Sequence, residues 1–426
     1  MYGSRNVLCS RYKRFKRNNM QSGNTLTATI VGGSYKEVCD LYDDKPHLKG
    51  SGIRALEVFL EFGWNGFLSF HSCIGKNKPI LESLYHRDNV RLLLTDALDI
   101  TFFYDHPFRM TSVYPRPDIL YANKKTINAE DENVLVFGMI DADFKIKARK
   151  AVFDPQTTVM MPSFRNSGSD AEELVLVLNG SEARALAGCV DIMQQRDVIF
   201  EREQCQALVI KQGAKGAILF RNKNDEGLRI PVYVTPKVNS IGSGDVFTAT
   251  FAYTWFRGAA LEEAALIASK SVACFVVSHE VRGLKTAIHS FDYPALSYRH
   301  EGQIYLAGPF FSYSQRWLIG QFYRALRNEG IKVFSPLHDV GIGNAEEVTE
   351  PDIEGLNASD VVLAVVDGLD SGTLFEIGYA VSKGKKVVAY VQNETKKALQ
   401  MLEGTHCDIE TDFTTAVYKS LWYVVQ

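Results

Sequence analysis

The chain has few cysteines and no pattern among them. Seven occur in 426 residues, at 9, 39, 73, 189, 205, 274 and 407, with no Cys-x-x-Cys pair and no histidines gathered beside them. That scatter argues against a disulfide framework and a structural zinc site, and it points to a reducing cytoplasm. Apolar runs are short as well: none approaches the roughly 20 residues that a membrane helix needs. Charge is nearly balanced, at −3, so no global field recruits nucleic acid or a membrane surface. Internal repeats and low-complexity blocks are both missing. What remains is a globular chain of ordinary composition, 46% hydrophobic and 23% charged, long enough for two or three domains and expected to handle small molecules. One local imbalance stands out. The first nineteen residues carry six basic side chains, Arg5, Arg11, Lys13, Arg14, Lys16 and Arg17, and no acid. Such a stretch fits a nucleic-acid arm, a transit-like peptide or a disordered leader. We read residues 1–24 as a leader, with Met20 as an alternative start.

From Thr25 onward, β-rich runs alternate with helical patterns. Strands are expected at 26–31, 134–140, 174–178, 207–210 and 217–220. A helix is expected near 52–62, and a helical stretch over 240–277, where Ala and Phe recur at three- and four-residue steps. Strands interleaved with helices imply a parallel α/β sheet. The segment 291–302, which holds Pro294, reads as a linker between a domain at 25–290 and another at 303–426. The second domain is α/β too, with strands expected at 304–307, 332–334, 361–366 and 386–391.

The stretch Gly368-Leu-Asp-Ser-Gly-Thr-Leu-Phe-Glu376-Ile-Gly-Tyr-Ala380 follows the apolar run 361–366. It puts the Glu376 carboxylate on a helix that begins where a buried strand stops, the place where open parallel sheets bind ligands. Four segments occur in order: Ile304-Tyr-Leu-Ala-Gly-Pro-Phe310, Asp352-Ile-Glu-Gly-Leu-Asn-Ala-Ser-Asp360, Asp370-Ser-Gly-Thr-Leu-Phe-Glu-Ile-Gly-Tyr-Ala380 and Lys383-Gly-Lys-Lys-Val387. Through them, residues 303–426 resemble the nucleoside 2-deoxyribosyltransferase family, of flavodoxin-like fold. The resemblance implies transfer or hydrolysis of the N-glycosidic bond of a nucleoside or its 5′-monophosphate. It also implies a homo-oligomer in which a neighbour's C-terminal segment completes the site. Breaking the C1′–N bond passes through an oxocarbenium-like state, which a carboxylate beneath the sugar can stabilise or trap. Glu376 is expected to be that nucleophile, with Tyr305 orienting it. Asp352 and Asp370 match the acidic residues that hold base and sugar, and a carboxylic acid of raised pKa would protonate the departing base. Substrate contacts are expected from Gly308, Pro309, Phe310, Ser371, Gly372 and Thr373, the helix start at Ser371 offering free N–H groups to a 5′-phosphate. This chemistry calls for no cofactor. Asp360 and Asp367 flank the central strand and fit turn caps as well as functional roles. Gly378 and Ala380 are expected to let the helix pack closely on the sheet.

A second junction lies earlier, in Asn239-Ser-Ile-Gly-Ser-Gly-Asp-Val-Phe-Thr-Ala-Thr250. With Asn179-Gly-Ser-Glu182, Lys211-Gln-Gly-Ala-Lys-Gly216 and Gly50-Ser-Gly-Ile-Arg-Ala55, it makes residues 25 to about 290 resemble the ribokinase-like (PfkB) family of sugar and nucleoside kinases. Phosphoryl transfer is mainly positioning and charge stabilisation. The resemblance implies an anion hole at Gly242, Ser243 and Gly244, and a proton acceptor at Asp245. It implies Asn179 and Glu182 ordering Mg2+ and its waters, Glu182 indirectly. Lys211, Gly213 and Gly216 would lie near ATP, and Gly50, Gly52 and Arg54 would form an acceptor loop; Gly32, Gly33 and Asp40 are weaker candidates for the same pocket. Two departures count. Asn239 and Ser240 replace the usual Asp and Thr, and Arg54 stands where an asparagine would grip sugar hydroxyls. They suggest a different or anionic acceptor, or a degenerate nucleotide-sensing domain. The combined expectation is a bifunctional enzyme of nucleoside or pentose metabolism, with either reaction first. The alternative is a ligand sensor regulating a nucleotide-depleting N-glycosidase.

Overall fold

The structure is a computed structural model that describes residues 26–42, 47–109, 111–157, 162–298 and 302–426. The basic leader lies outside the described residues. In the N-terminal domain nine strands form one sheet, in the order Leu228–Ile230, Ala217–Phe220, Ala207–Lys211, Asp170–Asn179, Ala142–Asp154, Lys125–Phe137, Thr27–Val31, Phe67–Ile74 and Val90–Asp96. Every pairing is parallel except the two that attach the first two strands of that series. Runs such as Leu174 to Leu178 and Ala207 to Ile210 are buried, as expected of parallel strands covered on both faces. One face carries helices Ser51–Glu61, Ser243–Phe256 and Leu261–Ser278; Gly180–Ala187 and Ile192–Glu203 cover the other. Helix Ser243–Phe256 is buried from Asp245 through Phe256, the expected fate of a helix that is apolar on nearly every side.

One connection departs from the strand–helix alternation read in the sequence. Lys125–Phe137 and Ala142–Asp154 pair in parallel from Lys125 against Ala142 to Phe137 against Asp154, yet only residues 138–141 join them. Five Cα steps span at most about 18 Å, less than half the length of a straight 13-residue strand. Both strands must therefore bend. The pairing is interrupted where Glu132 faces Arg149, and Arg149 bridges Glu132 and Glu173 there. The strand expected at 134–140 accordingly ends at Phe137 and turns. The bend delivers Asp154, at the far end of the second strand, into the domain's cleft.

A separate four-stranded sheet, in the order His47–Lys49, Tyr35–Cys39, Thr101–Tyr104 and Ser112–Tyr114, stands over that cleft and lends it Tyr35, Glu37, Phe102 and Tyr104. Its short, half-buried strands have no counterpart in the sequence reading.

The C-terminal domain is a five-stranded, all-parallel sheet in the order Lys332–Phe334, Gln303–Ala307, Val361–Val365, Lys386–Tyr390 and Asp408–Glu410. Numbered within the domain this is 2-1-3-4-5, the doubly wound order whose chain direction reverses between strands 1 and 3. The four expected strands agree with the observed ones to within one residue, whereas the edge strand Asp408–Glu410 was not expected. The linker is partly docked: Val234 N–H donates to Pro294 O and Leu296 N–H to Val232 O, both at 2.9 Å, and Phe291 sets its ring edge on Tyr233.

The two domains share a core. Ala214, Val238 and Val276 of the first pack with Phe322, Phe413, Trp422 and Val425 of the second. The C-terminal helix Phe413–Val425 is the main contact. Thr415 Oγ1 accepts from Val238 N–H at 3.0 Å, Tyr42 Oη donates to Thr414 at 2.9 Å, and the ring of His106, in the connection between strands Thr101–Tyr104 and Ser112–Tyr114, has its centroid 4.7 Å from that of Phe413.

Candidate active sites

Tyr305 lies on domain strand 1, and Glu376 on helix Ser371–Ser382 that follows strand 3. The switch point thus brings them together: Tyr305 Oη donates to Glu376 Oε1 at 2.5 Å. The Tyr305 ring is fully buried and stacks on Phe334, centroids 5.5 Å apart and planes 16° off parallel. Gly355 makes that possible, because a Cβ there would fall 2.3 Å from the Phe334 ring. Neither Phe334 nor Gly355 was singled out in the sequence; only a shared packing environment marks them. Burial pushes Glu376 up to about 7, the Asp352 and Asp370 carboxylates add to the rise, and the Tyr305 hydrogen bond opposes it. Glu376 is only partly buried, so it does not point into a sealed interior.

Asp352, on helix Ala345–Ala358, is also raised by burial, and its Oδ1 has no hydrogen-bond partner. Asp370 is the helix cap, with Oδ2 accepting from Thr373 N at 2.8 Å and Thr373 Oγ1 at 3.0 Å. Ser371 and Gly372 are exposed at that helix start, whereas Thr373 is buried. Gly308 permits a close approach, since a Cβ would meet Ile319 at 2.5 Å. Pro309 is buried and Phe310 partly so. Asp360 and Asp367 have structural jobs: Asp360 accepts from Gln303 N–H, and Asp367 from the N–H groups of Gln392 and Asn393. One expectation fails. A Cβ on Gly378 would meet nothing within 4 Å, so that glycine is not there for close packing, although Ala380 is fully buried.

In the N-terminal domain a single cavity of about 480 Å³ is lined by Gly50, Arg54, Asn179, Glu182, Lys211, Gly213, Gly216, Gly242, Ser243, Gly244 and Asp245. Segments spread over almost 200 residues therefore converge, as their resemblance implied. Gly52 does not join them. It packs on Gly32, where a Cβ on either glycine would lie under 3 Å from the other's backbone. Asp40 is exposed and outside the cavity lining.

Asn179 caps helix Gly180–Ala187 by accepting from the N–H groups of Ser181 and Glu182, while Glu182 reaches back to Asn179 N–H. Burial, then Asp154, pushes the Glu182 carboxyl upward. Lys211 donates to Asp154 at 2.7 Å, and Thr248 Oγ1 to the same oxygen at 2.6 Å. Asp245 is engaged on both oxygens, by Arg54 Nη1 at 2.9 Å and by Gln156 Nε2 at 2.5 Å. Arg54 also pairs with Glu37 and lies across Gly242, whose hypothetical Cβ would sit 2.2 Å from Arg54 Nε. Burial lifts Asp245 to about 6 against the pull of Arg54. Glu37, Asp154, Gln156 and Thr248 were not anticipated. Asp154, ending a strand and followed by Pro155, had the only local signal.

Among the described residues no group of three or more His, Cys, Asp and Glu side chains is arranged to hold a metal directly. No helix there is long and apolar enough to cross a membrane.

The family model for nucleoside 2-deoxyribosyltransferase matches residues 304–411, and that for the pfkB family of carbohydrate kinases matches 142–286. The chain is a fusion of a ribokinase-like domain with a nucleoside 2-deoxyribosyltransferase-like domain. Solved structures similar to the fusion include the ribokinase of Thermotoga maritima, 16% identical over 62% of this chain and all of that one, with a TM-score of 0.46. An Arabidopsis thaliana ribokinase complexed with ribose and ATP is 16% identical over 63% of this chain and all of that one, TM-score 0.46. The adenosine kinase of Sinorhizobium meliloti is 13% identical over 63% of this chain and 99% of that one, TM-score 0.45. No curated protein matches the fusion.

Proposed function

We propose that the transferase-like domain cleaves or transfers the N-glycosidic bond of a nucleoside or nucleoside 5′-monophosphate, with Glu376 as nucleophile. The observation that carries this is the Tyr305–Glu376 pair at the sheet's switch point, beside Asp352 and its unpartnered oxygen. In this reading the phenol fixes one carboxylate oxygen and leaves the other to meet C1′. Asp352, held toward its protonated form by burial, hydrogen-bonds the base and supplies the proton it needs on leaving. Asp370 keeps the helix start in shape. Mass spectrometry of reactions with a panel of nucleosides and monophosphates, with and without ATP, tests it; base release that survives Glu376→Ala refutes the assignment.

The kinase-like domain, in the same proposal, transfers phosphate from ATP to a sugar or nucleoside hydroxyl. The charged cluster suits Mg2+ held through its waters by Glu182 and Asp154, whose mutual repulsion a dication would relieve; when bound it would offset phosphate charge. Gly242 to Gly244 offer N–H groups at the start of a buried helix. Asp245 must shed Arg54 before it can take a proton, and an anionic acceptor would draw the guanidinium away. The same Arg54 clamp favours a second reading, a nucleotide sensor that regulates the glycosidase. Turnover of ATP with pentoses or nucleosides, abolished by Asp245→Asn, decides for the kinase.

The scattered spacing of the cysteines, with no Cys-x-x-Cys pair, supports cytoplasmic residence in the same proposal. A homo-oligomer is supported by Phe311, Tyr313 and Phe375, exposed by 72, 79 and 61% on the segments that follow strands 1 and 3. Its neighbour would need to contribute something other than residues 413–425, which pack within their own chain.

A further inference from the structure

The cleft of the kinase-like domain is not walled by that domain alone. Tyr418 and Trp422, on the C-terminal helix of the other domain, line the same cavity as Gly213, Gly216 and Asp245. The lining falls into two chemical sets. Arg54, Asp154, Lys211 and Asp245 are joined by ion pairs and hydrogen bonds, whereas Val238 and Val276 are apolar and belong to one packed cluster with Trp422. The Trp422 ring lies 5.7 Å from the Tyr418 ring and is 2% exposed. Its indole Nε1–H has no acceptor. Buried donors are nearly always paired, and leaving one unpaired is costly. The Tyr418 hydroxyl sits beside Ser240 and does not pair with the indole, whose N–H is left for an acceptor brought from outside.

We propose that a nucleotide in the kinase-like cleft lays its base against the C-terminal helix, with Trp422 Nε1–H donating to a ring nitrogen of that base. The charged set then faces the phosphates, and the apolar set encloses the aromatic ring. The nucleotide site thereby belongs to both domains. This inference rests on the reading that the cleft binds ATP.

Isothermal titration of the full-length protein with ATP and with inorganic tripolyphosphate, for wild type and Trp422→Phe, tests it. The expected result is ATP binding weaker by about tenfold in the variant, with tripolyphosphate unchanged because it carries no base. A second arm needs no substitution: one of 1-deaza-, 3-deaza- and 7-deaza-ATP should bind wild type about tenfold less tightly than ATP. Equal ATP affinity for both proteins, equal losses for both ligands, or three deaza analogues that bind as ATP does would each overturn the proposal and leave ATP binding standing. A wild type that binds neither ATP nor tripolyphosphate would remove the underlying reading as well.

Discussion

Asp245 and Glu376 occupy similar positions, each on a helix that leaves a strand end or loop and each lifted by burial, to about 6 and about 7. Their neighbours differ. Asp245 is held on both oxygens, one of them by a buried arginine. Glu376 is held on one, by a neutral phenol. A neutral donor fixes direction without cancelling charge, whereas a guanidinium fixes direction and suppresses proton affinity. The carboxylate proposed as nucleophile is therefore poised, and the one proposed as proton acceptor is restrained.

The largest effect should come from Glu376→Ala, which is expected to lower base release on the order of 10⁴-fold in a product assay, while Asp245→Asn leaves it unchanged; equal losses would erase the contrast. Next comes Arg54→Met. Removing the cation leaves Glu37 and Asp245 buried together, and urea unfolding should register a loss of about 3–5 kcal/mol. An unmoved midpoint would mean that the clamp contributes nothing. Tyr305→Phe should slow base release by about tenfold and displace the acidic limb of its pH–rate profile upward from about 7, because the hydrogen bond that lowers the Glu376 pKa is gone. A downward displacement would show the phenol acting otherwise.

The smallest effect is on stability. Glu376 has a folded pKa above its ordinary value, so it favours the folded state in acid, and that contribution disappears as pH rises through about 7. The melting temperature of Glu376→Gln relative to wild type should thus be higher at pH 8 than at pH 5, by about 2 °C after allowing for partial solvation. No difference between the two pH values would place the carboxylate in a more aqueous setting than its burial implies.

Four of the five C-terminal strands were legible, the central one because a fully buried parallel strand reads as an unbroken apolar run, as Val361 to Val365 does; Asp408–Glu410, half-buried at the edge, was not. The meeting of Tyr305 with Glu376 was legible through motif order. Partners that approach from afar were not: Gln156 reaches Asp245 from 89 residues away and Glu37 bears on it through Arg54, and nothing in their own neighbourhoods records it. Strand Ala142–Asp154 was missed although its first half alternates Asp143, Lys145 and Lys147 with buried residues, as a half-exposed strand does, because no crossover helix separates it from the strand before it. Gly52 was misread for a subtler reason. A glycine beside a helix start can serve a ligand or another glycine, and only coordinates distinguish the two.

The C-terminal helix carries a consequence for how the molecule is made. The ribosome releases the nine-stranded sheet long before residues 413–425 exist, so the nascent chain carries a trough that lacks the wall Tyr418 and Trp422 supply in the finished protein. On the proposed nucleotide site, the pocket is complete only once translation is over, which makes the earliest-built domain the last to mature.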